Sequence, residues 1–157
     1  MQKFSKEDID GTRNYFRGQG FEEVQVELGN RRFSYFVMPQ GLEPKLEDFV
    51  YRATGERGAG YVFGISDNVR KDFRQYAVAH EYIEFTEIGM DTPDRCVKAL
   101  EEELKLVPEE IKPEYIAMRR RFFKNLIDYC ALKPDYTQGD LEEFRKSLNR
   151  LDELAEN

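Results

Sequence analysis

Between Phe21 and Leu28 polar and apolar positions alternate: Val24, Val26 and Leu28 fall on one face, Glu23, Gln25 and Glu27 on the other. A period of two is the signature of a half-buried strand. Gly29-Asn30 then supplies turn chemistry and Phe33 to Met38 forms a second strand-like run, so the pair predicts an antiparallel hairpin. Ahead of it, Lys6 to Arg17 carries Ile9, Tyr15 and Phe16 on the apolar side of a short helix that stops at Gly18-Gln19-Gly20. Pro39-Gln40-Gly41 breaks the second strand. Residues Pro44 to Thr54 read as a helix through Leu46, Phe49 and Val50, and Tyr61 to Ile65 as a third, central strand.

From Val69 onward the pattern becomes helical. Ser66-Asp67-Asn68 offers N-cap residues for a helix that reaches Ile88, where Gly89 closes it. Thr92 or Asp94 caps a second helix through Cys96, Leu100 and Leu104. Pro108 opens a third, which Pro113 restarts or kinks before about Tyr129. Asp140 caps the last, along which Leu141, Phe144, Leu148, Leu151 and Leu154 recur at helical spacing. Strands early and helices late predict an α+β fold: a small antiparallel or mixed sheet, made of the hairpin plus one further strand, followed by four helices. No shift of composition divides residues 1–157, so a single domain is expected.

Charge narrows the function classes. The net charge of −7 disfavours a general nucleic-acid binder, which needs a positive footprint. The one dense basic run, Arg119-Arg120-Arg121, fans over about 200° of a helix and suits pairing with carboxylates better than forming a flat patch. The charged start, Met1 to Asp8, lacks the apolar stretch of a signal peptide, and no run approaches the ~20 apolar residues that span a bilayer. Two cysteines, Cys96 and Cys130, form no C-x-x-C pair and read as free, buried thiols. A cytoplasmic protein with neither membrane nor nucleic-acid partners is expected. The loop Arg57-Gly58-Ala59-Gly60 is Gly-rich but lacks a Gly-Lys-Ser/Thr ending, so it does not mark a nucleotide cradle. No serine sits in a Gly-x-Ser-x-Gly setting.

The chemistry concentrates in Ala79-His80-Glu81-Tyr82-Ile83-Glu84, which holds the chain's one histidine. At about 100° per residue, His80, Glu84 and Glu81 fall at about 0°, 40° and 100° of a helix, within one sector. His80 and Glu84, four residues apart, can converge on one point as two metal ligands, with Glu81 placed as a general base. The plainer reading makes the same residues the solvated stripe of an amphipathic helix, with Val78, Ala79, Tyr82, Ile83 and Phe85 as its core face. Against this, Phe73, Ala77 and Ile88 share the sector of His80 and Glu84, and carboxylates in apolar surroundings need a partner, either a metal or the Arg119–Arg121 run.

The run Arg74-Gln75-Tyr76-Ala77-Val78-Ala79-His80-Glu81 resembles the lead into the zinc helix of ImmA/IrrE-type zincin metallopeptidases. The resemblance implies a zincin-like scaffold with His80 as metal ligand and Glu81 as the base that activates a bound water. Glu84 stands where that family places its second histidine, and Ile83 where it places a glycine. A third ligand then comes from Asp91, Asp94, Glu101, Glu102 or Glu103, and the ion is zinc, manganese or iron. Two functions follow: a non-catalytic interaction or regulatory protein on a zincin-like scaffold, or a metal-dependent, peptidase-like hydrolase using His80, Glu81 and Glu84. A protein partner, or a homodimer formed through the two-faced C-terminal helix, fits the first.

Overall fold

The computed structural model describes residues 3–56 and 59–156. Arg57 and Gly58 of the Gly-rich loop, the first two residues of the charged start and Asn157 lie outside the described residues. The chain forms two compact units, Met1–Glu43 with Asp48–Val78, and Pro44–Glu47 with Ala79–Asn157.

The first unit is a mixed sheet with a helix. Strands β1 (Lys3–Phe4), β2 (Glu23–Leu28), β3 (Arg31–Met38), β4 (Val50–Gly55) and β5 (Tyr61–Ser66) lie in the order β1-β4-β5-β3-β2. The expected hairpin is β2–β3, antiparallel, with Leu28 opposite Arg31 across a turn in which Gly29 takes φ 63°. Strand β5 is central as anticipated, parallel to β3 and antiparallel to β4. Helix α1 (Lys6–Gly18) starts at a capping box in which Ser5 and Asp8 satisfy each other's backbone N–H. Its Phe16 ring meets Phe21, Phe36 and Tyr51 at centroid distances of 5.7, 5.4 and 5.5 Å, closing one side of the sheet.

One expected helix is absent. Residues 44–49 are turns, and β4 occupies the second half of the stretch from Pro44 to Thr54. Leu46, Phe49 and Val50 imitate a helical stripe, but Asp48 sits at φ 58°, which no helix interior accepts. Asn68 Nδ2 donates to Asp48 Oδ1 at 3.2 Å, and pairing with β5 then satisfies the backbone from Val50 onward. The sheet therefore has four full strands and the two-residue β1, rather than a hairpin and one further strand.

Helix α2 (Arg74–Ile83) begins in the first unit and ends in the second. The second unit then comprises a π-turn (Glu84–Ile88), α3 (Arg95–Leu106), α4 (Lys112–Ala131) and α5 (Gln138–Ala155). Four helices follow the sheet, within an α+β fold that has five among the described residues. Three starts differ from expectation: α2 begins at Arg74 after a 3-10 turn at Lys71–Phe73, not at Val69 behind Ser66-Asp67-Asn68. Pro113, not Pro108, lies in the first turn of α4, and Thr137 caps α5 while Asp140 completes a capping box three residues on. Helix α5 packs against α3 and α4, burying Leu141 and Leu151 of its apolar stripe while Phe144, Leu148 and Leu154 stay half-buried. No described helix is long and apolar enough to cross a membrane.

Candidate metal centre

Around His80, Ala77, Val78, Ala79 and Ile83 of α2 are all buried, and His80 itself is 2 % exposed. The ring is buried, not part of a surface stripe. After Ile83 the helix widens by one residue per turn, and Gly89 closes the π-turn by donating its N–H to the Glu84 carbonyl at 2.9 Å. Gly89 does so at φ 93°, a conformation that favours glycine.

Both ring nitrogens of His80 face acids. Nδ1 lies 2.7 Å from Glu103 Oε1, and Nε2 lies 3.0 Å from Glu84 Oε2. Cys96 Sγ completes the group at 3.7 Å from Nε2. Ligand atoms of His80, Glu84 and Cys96 all lie within 4.8 Å of one another. Cys96 reaches this point because α3 buries Cys96, Ala99, Leu100, Glu103 and Leu104 along one stripe. Glu103 thus stands on a core stripe, at 0 % exposure.

That carboxylate is heavily compensated. Arg119 Nε lies 2.8 Å from Glu103 Oε2, Arg119 Nη2 donates to Oε1 at 3.3 Å, and the Tyr115 hydroxyl donates to Oε2. Tyr115 and Arg119 come from one face of α4, four residues apart, and both are buried. The Arg119 guanidinium also lies over the rings of Phe122 and Phe123, at 5.1 and 5.0 Å. Burial pushes the Glu103 carboxyl up, but Arg119, His80 and Tyr115 outweigh it and hold it below its ordinary range. Burial opposes charge on Arg119 too, and Glu103 reverses that sign.

For His80, burial works against the imidazolium, whereas Cys96, Glu103 and Glu84 favour it and hold its pKa well above the ordinary value. Burial raises the Cys96 pKa, and the neighbouring His80 opposes that rise. Around Glu84, Arg95 Nε stands 3.6 Å from Oε1, and Arg95 Nη2 pairs with Asp140 at 3.1 Å. Helix α5 adds Glu143, whose oxygens accept from the backbone N–H of Asp94 and Cys96, both at 3.2 Å. It also adds Ser147, which donates to Cys96 Sγ at 3.0 Å.

The expected ligands His80 and Glu84 are therefore together. Glu81, expected as the base, is half-buried and outside the donor group. Among the expected third ligands, Asp94 pairs with Lys146, Glu101 with Arg150 and Glu102 with Lys105, while Asp91 is exposed. Glu103 reaches His80, but at the nitrogen away from Glu84. The third donor is Cys96, read from sequence as a buried hydrophobe. Its signal lay in the stripe it shares with Leu100, Glu103 and Leu104, which a polar member interrupts.

The donor set suits a transition ion. With Zn–N and Zn–O near about 2.0 Å and Zn–S near about 2.3 Å, tetrahedral geometry places nitrogen about 3.5 Å from sulfur and about 3.3 Å from oxygen. Nε2 stands 3.7 Å from the sulfur and 3.0 Å from the Glu84 oxygen, near both values, and the Cys96 and Glu84 donor atoms lie within 4.8 Å of each other. Nδ1 bonded to a carboxylate is also the usual arrangement behind a metal-bound imidazole. Comparison with protein-family models, curated proteins and solved structures gives no match to this chain.

Proposed function

We propose that this chain is a non-catalytic metal-binding protein, of regulatory or interaction type, in which His80 Nε2, Cys96 Sγ and the Glu84 carboxylate hold one divalent transition ion. One observation carries the reading: three unlike donors converge within 4.8 Å beside an imidazole whose other nitrogen is pinned by Glu103. A soft sulfur with a nitrogen and an oxygen favours zinc, or iron, over manganese and the hard cations. Charge balance supports it as well. Replacing the imidazolium by a divalent ion, a thiolate and a neutral imidazole leaves the net charge of the cluster unchanged.

A zincin-like hydrolase requires a coordination position that a polypeptide can reach and a carboxylate base beside it. The burial of His80, Glu84 and Cys96, and the placement of Glu81 outside their group, support the non-catalytic alternative. The zincin resemblance rests on the run Arg74–Glu81 and departs from that family at Glu84, which stands in place of a second histidine.

The test is metal content by mass spectrometry on untagged protein, before and after incubation with zinc, iron or manganese. One ion per chain is expected in the parent and in Glu81→Gln, with loss in His80→Ala and in Cys96→Ala. A parent that takes up none of the three ions, or a Cys96→Ala variant that keeps its ion, overturns the reading.

A further inference from the structure

Helix α5 places two polar side chains where a helix packed against neighbours ordinarily buries apolar ones. Glu143, Ser147 and Leu151 follow one another at intervals of four residues on its buried side. Ser147 and Leu151 have 0 % exposure, so a Ser147 hydroxyl without an acceptor would bear the full desolvation cost. A serine in mid-helix commonly donates to its own helix, to the carbonyl one turn back. Ser147 instead donates across to α3, to Cys96 Sγ. Glu143 reaches the same residue from the backbone side. Asp94, at the N-cap of α3, has φ 60° and makes no capping bond; its carboxylate is held by Lys146 at 2.6 Å. The N–H groups of Asp94 and Cys96 that begin α3 are bonded by Glu143 in its place. One helix thus fixes both the backbone and the sulfur of the residue that supplies the soft donor.

We propose that Ser147 and Glu143 of α5 are positioning residues for Cys96 as a metal ligand, so that the C-terminal helix sets the affinity and sulfur character of the centre. This rests on the metal-binding reading above and adds to it the groups that tune the ligand. A hydroxyl donating to a metal-bound thiolate draws charge from the sulfur and fixes its lone-pair direction, as outer partners do for other ligands. Glu143 holds the first turn of α3 and hence the Cα–Cβ direction of Cys96. Neither residue touches the ion.

The test is titration of the full-length protein with cobalt(II), read by the near-ultraviolet charge-transfer band that only thiolate ligation produces, with zinc competition for affinity. The parent is expected to show the band and Cys96→Ala to lack it. In Ser147→Ala the band moves to lower energy, because the sulfur has lost its donor. In Glu143→Gln the band weakens, because an NH2 donor replaces one of the two accepting oxygens and faces a backbone N–H. Each variant loses on the order of tenfold in zinc affinity while its far-ultraviolet dichroism stays at the parent's. Glu142→Gln, on the exposed side of the same helix, leaves band and affinity unchanged. If the parent shows the band and both variants keep its energy, intensity and affinity, this assignment fails and the metal site stands. If the parent shows no thiolate band, both fail.

Discussion

Removing the Glu103 carboxylate would leave the Arg119 guanidinium, the Tyr115 hydroxyl and His80 Nδ1 converging on nothing, inside a region that water does not reach. An ion pair at this depth adds little net stability, but breaking one half of it is severe, because the surviving charge stays buried. Glu103→Ala is therefore expected to cost about 3–5 kcal/mol in urea unfolding. Glu103→Leu combined with Arg119→Met should recover most of that loss. A single variant within about 1 kcal/mol of the parent would show that the carboxylate is not compensating a buried charge. His80 gives a pH signature in metal-free protein. Its folded pKa lies well above 6.5 despite burial, because Cys96 and the two carboxylates favour the charge. The stability it adds is complete below its unfolded pKa and disappears as pH rises through the raised folded value. The urea midpoint of the parent should thus fall from neutral to alkaline pH more steeply than that of His80→Gln. Parallel profiles would mean that the imidazole is not charged in the folded state.

Elements differed in how far their residues betrayed them. The hairpin and α1 were legible because one periodicity ran through most of each, and β5 because a continuous apolar run lay between turn residues. The stretch 44–54 was misread because Leu46, Phe49 and Val50 match a helical period by coincidence, while the deciding influence, pairing with β5, lies outside the stretch. The cap of α5 was misplaced because Thr137 and Asp140 form a reciprocal pair, and either alone reads as an N-cap. At the site, His80 and Glu84 were legible from their spacing on one helix. Cys96 was legible only as a member of a buried stripe that Glu103 interrupts, because its partners come from outside α3. Glu103 was half legible, named among acidic candidates but hidden in a run of three glutamates whose first two pair with surface cations. The interval of seven from Cys96, two turns along a buried stripe, was the available clue.

At the scale of the molecule, everything the centre uses from His80 onward belongs to the second compact unit, and the sheet belongs to the first. An ion that binds only the folded state stabilises it by mass action, by about 2.7 kcal/mol at a hundredfold excess over Kd. Hydrogen exchange followed by mass spectrometry is expected to show zinc-dependent slowing in the π-turn, α3 and α5, reversed by a chelator. The largest slowing in the strands, or none anywhere, would contradict a centre confined to those helices. The placement of His80 between two carboxylates has one more consequence, a spectroscopic one. Because the chain contains a single histidine, uniform nitrogen-15 labelling yields one pair of imidazole resonances, both arising from the centre. Their shifts distinguish imidazolium, either neutral tautomer and a metal-bound ring, so the molecule carries a reporter of its own state that needs neither assignment nor an introduced probe.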